Sequence, residues 1–204
     1  MESMDHPRLI GGWIWTALGL GALVWGLFLG RPPGPVVIAL STLTVIAAVA
    51  ALTGHAWARW LAGRLLGVAL GIELVLSVAD RFGVLDAPGE PGVSWGSWGA
   101  FTTYTGILLP WAPDALVTGA AVMATLAEVG LGVMLILGPQ WRWAGKLTAG
   151  MLLCYLIAML ATVGFGEVAR YGVVIQIGAA LLVSARGARP RSADRGQPAA
   201  ASAG

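Results

Sequence analysis

The sequence predicts an all-α membrane protein with six transmembrane helices and an amphipathic helix at the external interface. Three observations carry that expectation. Of 204 residues, 57% are hydrophobic and 11% charged, with a mean hydropathy of 0.80; a soluble domain carries about a quarter charged residues. Six apolar segments recur, each near the roughly 20 residues that cross a bilayer. Lysines and arginines also segregate between alternate loops, as an even number of spans requires.

The segments run about 9–30, 35–53, 61–80, 115–138, 142–163 and 169–185. The first is too long for a signal-peptide apolar core and no small-x-small site follows it, so it is expected to remain as a helix. Arg31-Pro32-Pro33-Gly34-Pro35 ends it, because proline removes a backbone donor and restricts its neighbour. Arg8, Arg59, Arg64, Arg142, Lys146, Arg186, Arg189, Arg191 and Arg195 fall on one side, and Arg31, Arg81 and Arg170 on the other. Nine against three places both termini in the cytoplasm of a multi-pass cell-membrane protein. Arg64, Arg142 and Lys146 are expected to snorkel to that interface. Residues 187–204, without large apolar residues, are expected to form a disordered cytoplasmic tail.

The connection 81–114 is the one long loop, and external. Its first half, through Pro88-Gly89-Glu90-Pro91-Gly92, is irregular. In its second half Trp95, Trp98, Phe101, Thr105, Leu108 and Leu109 share a face at helical spacing. Such a helix is either an interfacial anchor, with indole rings at the headgroups, or a lid over a site between the spans.

Small residues mark packing seams. Gly63, Gly67 and Gly71 form a stripe on the third span, and Gly12, Gly19 and Gly26 recur every seven residues on the first. Seams of this kind also suit association into a homo-oligomer. Intramembrane ionisable groups are the candidate site, because their cost demands a partner or a function. Glu73 shares a face with Ser77 and Asp80, away from Arg64, so its partner must come from another span. Glu128, mid-span among Ala121, Ala124, Thr125 and Gly132, is the stronger candidate to bind a quinone carbonyl or relay a proton, and a neutral, donating carboxyl would suit its burial. Tyr155 and Gln176 read as helix-to-helix hydrogen-bonding groups. Met151, Cys154 and Met159 lie near one face of the fifth span, where they fill gaps.

The exclusions are broad. A net charge of +2 does not suit a nucleic-acid partner. One cysteine gives neither a disulfide nor a Cys-x-x-Cys couple. No metal-ligand spacing, phosphate loop or nucleophile elbow occurs, and His6 and His55, on one side, cannot hold a bis-histidine haem.

Residues 64–185 resemble the DoxX family of small membrane proteins, named after a subunit of thiosulfate:quinone oxidoreductase. The matching features are Arg64-Leu65-Leu66-Gly67 opening a helix that ends in Asp80-Arg81-Phe82-Gly83, then Ala127-Glu128-Val129-Gly130-Leu131-Gly132, Leu135-Ile136-Leu137-Gly138 and Trp141-Arg142-Trp143-Ala144. The resemblance implies a four-helix membrane domain over residues 61–186, preceded by an amino-terminal hairpin of residues 1–60, and an accessory or quinone-interacting subunit beside a partner redox enzyme, with a quinone as the cofactor such a role would use. Glu128 matches a glutamate common in the family's second helix, and Arg81 stands where a lysine often closes its first. Glu73, Asp80, Arg81 and Glu128 are thus the candidate quinone or proton site, with Trp95, Trp98 and Phe101 as lid or anchor. The alternative function is a small-molecule transporter; against it stand the lack of a broken helix pair in corresponding halves and of an internal repeat.

Overall fold

The computed structural model describes residues 6–53, 55–90, 92–138 and 141–185. Its elements are all helical: α1 (His6–Phe28), α2 (Pro35–Leu52), α3 (Ala56–Arg81), α4 (Trp98–Leu108), α5 (Asp114–Leu137), α6 (Trp141–Thr162), α7 (Phe165–Tyr171) and α8 (Val173–Ala185). The expected tail 187–204 and its arginines lie outside the described residues.

The ends of these helices follow from local chemistry. Pro35 opens α2, where its missing N–H would have no acceptor anyway. Ser97 caps α4 by accepting from the Ala100 N–H at 3.2 Å. Asp114 sits in the first turn of α5, facing the positive end of the helix dipole. At the other end of α5, Arg64 donates to the free carbonyls of Leu135 and Ile136 at 3.2 and 2.6 Å. Arg64 therefore closes the end of a neighbouring helix from its place near the interface.

α1, α2, α3, α5 and α6 are each long and apolar enough to span a bilayer; α7 and α8 pass the same test only together, meeting at 50°. The sixth expected span is thus a broken one, starting at Phe165 and interrupted at Gly172, whose φ of +64° lies in the left-handed region that glycine enters without strain. Ile14, Val24, Leu65, Met123, Leu126, Leu147 and Ile157 point outward from mid-span. A chain so clad in exposed aliphatics has lipid as its solvent, and this is an integral membrane protein.

The glycine seams are where the helices touch. A Cβ on Gly71 would lie 2.7 Å from the Gly132 carbonyl, and one on Gly132 would lie 3.0 Å from the Gly71 carbonyl, so α3 and α5 meet backbone to backbone. Gly67 faces Val183, and Gly63 is buried. Along α1, Gly12 meets Leu182, Gly19 meets Ile175 and Gly26 meets Ala169. α1 therefore runs antiparallel to α7 and α8, with His6 and Ala185 at the same end of the bundle. Both seams are occupied within the chain, which removes the ground they gave for self-association. The hairpin also shares one core with the rest: Leu40, Ala47 and Ala48 pack with Leu66, Leu70, Leu135 and Val183.

Gly71→Val should cost about 1–3 kcal/mol, because the added methyls must push two backbones apart. A Cβ placed on Gly21 would have nothing within 4 Å, so Gly21→Val should leave stability nearly unchanged. Thermal unfolding of the two purified variants in mild detergent checks the difference.

Candidate functional site

The site is built on the last turns of α3, where consecutive residues point about 100° apart. Asp80 and Arg81 thus serve different partners. The Asp80 carboxylate accepts from three successive backbone N–H groups of the loop: Ser94 and Trp95 at 3.0 Å each on Oδ2, and Gly96 at 3.3 Å on Oδ1. Gly96, at φ +64°, allows the close turn, since a Cβ there would run into the backbone of Ala87 and Pro88. This clasp fixes the loop over the helix end.

Arg81 turns inward. Its guanidinium donates to Thr125 Oγ1 at 2.9 Å, to Ser77 Oγ at 3.4 Å and to Glu128 Oε2 at 2.5 Å. Arg81 and Glu128 are each only 2% exposed. The Tyr155 hydroxyl donates to the other carboxylate oxygen, Glu128 Oε1, at 2.7 Å. Aromatic faces close the guanidinium in, with the Phe101 centroid at 3.8 Å and the Trp95 centroid at 5.2 Å. Both oxygens of Glu128 accept, so the neutral, donating carboxyl expected from its burial is replaced by one half of an ion pair.

Glu73, two turns before Arg81, finds its partner on α8. Gln176 Nε2 donates to Glu73 Oε1 at 3.0 Å and to the Tyr171 carbonyl at 3.2 Å. Glu73 Oε2, Arg81 Nε and the Tyr104 hydroxyl are buried without a hydrogen-bond partner among the described residues. Burial, reinforced by neighbouring Tyr171 and Glu167, pushes the Tyr104 phenol up from its ordinary value, so it stays protonated.

These groups line one cavity of about 310 Å³. Its polar wall is Glu73, Ser77, Arg81, Glu128, Tyr155 and Gln176; Trp95, Phe101, Tyr104 and Tyr171 cover it, and the remaining lining is mostly aliphatic. The Trp95 and Tyr171 rings stack at 6.2 Å and 5°. Cys154 lines the same cavity and is also exposed on the mid-span surface of α6. A mostly apolar hollow with a few convergent polar groups is the usual form of a small-molecule site.

Of the residues singled out in the sequence, Glu73, Arg81, Glu128, Trp95 and Phe101 come together. Asp80 does not line the cavity, because its carboxylate is committed to the loop. Trp98 is absent from the lining as well: it stacks on Phe82 at 5.6 Å and backs Phe101 at 5.7 Å from outside. Trp95 precedes α4 instead of lying on it, and the Asp80 clasp, not helical periodicity, turns its ring inward. Phe101 is buried. Met151 is absent from the lining that Cys154 and Met159 share. Tyr104 and Tyr171 are not reached by reasoning from the sequence, although a signal exists: all three tyrosines of this apolar chain line the cavity.

No family model matches this chain, and neither curated proteins nor solved structures provide a match.

Removing one half of a buried ion pair strands the other, at about 3–5 kcal/mol, whereas replacing both by apolar groups is often neutral or better. Arg81→Met should therefore lower the unfolding midpoint sharply, and Arg81→Met with Glu128→Leu should recover most of the loss, as read by thermal unfolding in detergent. Asp80→Ala should release the clasp, so that limited proteolysis cuts between residues 83 and 96 at least several-fold faster than in the wild type.

Proposed function

We propose that this integral membrane protein binds a quinone-type ligand from the lipid phase and acts as a quinone-interacting or accessory subunit of a membrane redox system, of the DoxX kind. The observation that carries the reading is the cavity itself: mostly apolar walls, a few convergent polar groups and one lining residue, Cys154, that is also exposed on the mid-span surface. A flat ring with polar atoms at opposite edges suits aromatic covers and an aliphatic surround. Redox competence would rest with the ligand or a partner enzyme.

The order of the Arg64, Asp80-Arg81, Glu128 and Trp141-Arg142 motifs supports the family reading. Arg81 and Glu128, two of the residues that carry it, are bonded to each other. The lysine and arginine asymmetry supports a cell-membrane protein with both termini in the cytoplasm, and Arg81, being buried, drops out of the external count. The remaining described external arginines, Arg31 and Arg170, both pair with Glu167, which reduces the positive charge on that side further.

Transport is the second reading. It is favoured by the break between α7 and α8, since Tyr171 and Val173 on either side of it line the cavity. Hydropathy carries no hint of that break, and an interrupted helix beside a midplane site is a recurrent feature of transporters. Only one such pair occurs among the described residues, without a counterpart in the other half.

A fully substituted benzoquinone, which cannot add to thiols, should bind the detergent-solubilised protein saturably in calorimetry and slow the alkylation of Cys154. Trp95→Ala and Phe101→Ala should each weaken it roughly five- to tenfold, the worth of about 1 kcal/mol of ring contact. Trp98→Ala, outside the lining and touching it only through Phe101, should weaken binding less than either. Equal losses from all three variants, or no protection of Cys154, would count against the cavity as the site. Uptake of the compound by proteoliposomes holding this chain alone would favour transport.

A further inference from the structure

The two carboxyls of the cavity differ in what they still have to offer. Glu128 is saturated, with Arg81 on Oε2 and Tyr155 on Oε1, and its charge is matched by that of Arg81. Glu73 stands differently. Its Oε1 accepts from Gln176 Nε2, and that amide is held nitrogen-first by a second acceptor, the Tyr171 carbonyl, which cannot donate. Oε2 is left buried, on a residue that lines the cavity, without a partner among the described residues.

Because the amide nitrogen claims Oε1, a proton arriving on Glu73 settles on Oε2, and a proton leaving Glu73 leaves from there. The two states of the carboxyl thus differ in what Oε2 does: ionised, it accepts a hydrogen bond; neutral, it donates one. Each state leaves a buried polar atom unmet until a ligand of the opposite character reaches it. The other unpartnered atoms make no such distinction. Arg81 Nε only donates and the Tyr104 hydroxyl donates or accepts, while lone pairs to meet them are present on a ring carbonyl and a ring hydroxyl alike.

We infer that Glu73 exchanges a proton when the headgroup binds, so that its charge follows the oxidation state of the ligand: neutral against the carbonyl of a quinone, ionised against the hydroxyl of a hydroquinol. This rests on the reading of the cavity as a site for quinone-type headgroups. Both states of the empty protein lead to the same difference, because each ligand draws the state it needs. Quinone binding takes up a proton wherever Glu73 is ionised beforehand, and hydroquinol binding releases one wherever it is neutral. By linkage, uptake with the one and release with the other add up to about one proton. The charged or titratable side chains that line the cavity with Glu73 are Arg81 of its own helix, Glu128 of α5, Cys154 and Tyr155 of α6, Tyr171 of α7 and Tyr104 of α4; α8 contributes the neutral Gln176. Glu128 is the other carboxyl among them, and both its oxygens are taken.

Three ligands are compared anaerobically with the full-length protein in detergent: a tetramethyl hydroquinol, its quinone and its dimethyl ether, which keeps the ring oxygens but cannot donate. Calorimetry in buffers of different ionisation enthalpy counts the protons exchanged on binding, and protection of Cys154 from alkylation gives location. In the wild type, the quinone and the ether should each take up about one proton more than the hydroquinol does. The ratio of quinone to hydroquinol affinity should accordingly fall about tenfold for each unit of rising pH. In Glu73→Gln, or in Glu73→Leu where the amide is not tolerated, all three ligands should exchange the same number of protons. Equal proton counts for hydroquinol and ether in the wild type overturn the inference whether or not either variant folds. A difference that survives in a folded variant overturns it as well, since the proton then belongs to another group. If none of the three ligands protects Cys154 in the wild type, the headgroup reading of the cavity falls and takes this inference with it.

Discussion

A charge pair with no water to solvate it is the constraint around which this protein is arranged. Arg81 and Glu128 are both almost fully buried in a chain whose outer surface is aliphatic. Ionisable groups in that setting are expensive, and they persist only where partners are held in place. Every element near the pair supplies one. α3 brings Ser77, α5 brings Thr125, α6 brings Tyr155, and the loop with α4 brings two aromatic faces. Convergence of that kind needs two helices closer than side chains usually permit. Gly132 lies one turn beyond Glu128 on the same face of α5, and it meets Gly71 of α3 backbone to backbone. The glycine seam and the ion pair are therefore one device, in which absent side chains let charged ones reach each other.

Asp80 extends the same logic into the external loop. A segment containing Pro88, Gly89 and Gly92 has little tendency to order itself. Three of its backbone donors nevertheless converge on one carboxylate at the end of a rigid helix, an arrangement that suits a negative charge as it would a bound anion. The residue that ties the loop down is next in sequence to the one the loop covers. Any displacement of α3 would consequently move floor and cover together.

The spans are legible in the sequence because hydropathy over about 20 residues reports a solvent, and lipid imposes it on each helix separately. The Gly12, Gly19 and Gly26 repeat is legible for a similar reason, since a seam of small residues has only one physical use in a membrane. The presence of inward carboxyls at 73 and 128 can also be read, together with the need of Glu73 for a partner on another helix. The identity of partners cannot. Arg81 can be read as a helix-ending charge and a site candidate, but its pairing with Glu128 cannot, because hydropathy assigns a residue to a depth and not to a face, and a single step around α3 separates a side chain bound to the loop from one bound to Glu128. Trp95 continues the periodicity of α4 in the sequence, but periodicity cannot distinguish a helix from a lead-in held by a distant carboxylate. Arg64 follows the same pattern, a cation near an interface whose true partners, two carbonyls of α5, are fixed only by tertiary contact.

The break in the last span is the least legible feature, and much of the site depends on it. A window of hydropathy runs smoothly through Tyr171-Gly172-Val173, so nothing apolar is interrupted. Backbone chemistry is interrupted, however, because a helix that stops inside a membrane leaves carbonyls without donors. The Tyr171 carbonyl is one of these, and Gln176, one turn into α8, reaches back to satisfy it. That same amide nitrogen holds Glu73 Oε1. The left-handed turn at Gly172 also sets the Tyr171 ring against Trp95, in the cover of the cavity. A continuous helix would bond the Tyr171 carbonyl internally and free Gln176 from its orienting contact, so that the amide could present either end to Glu73. By withdrawing one backbone donor, the break makes the direction of a side-chain hydrogen bond unambiguous, and thereby decides which oxygen of Glu73 remains turned to the cavity.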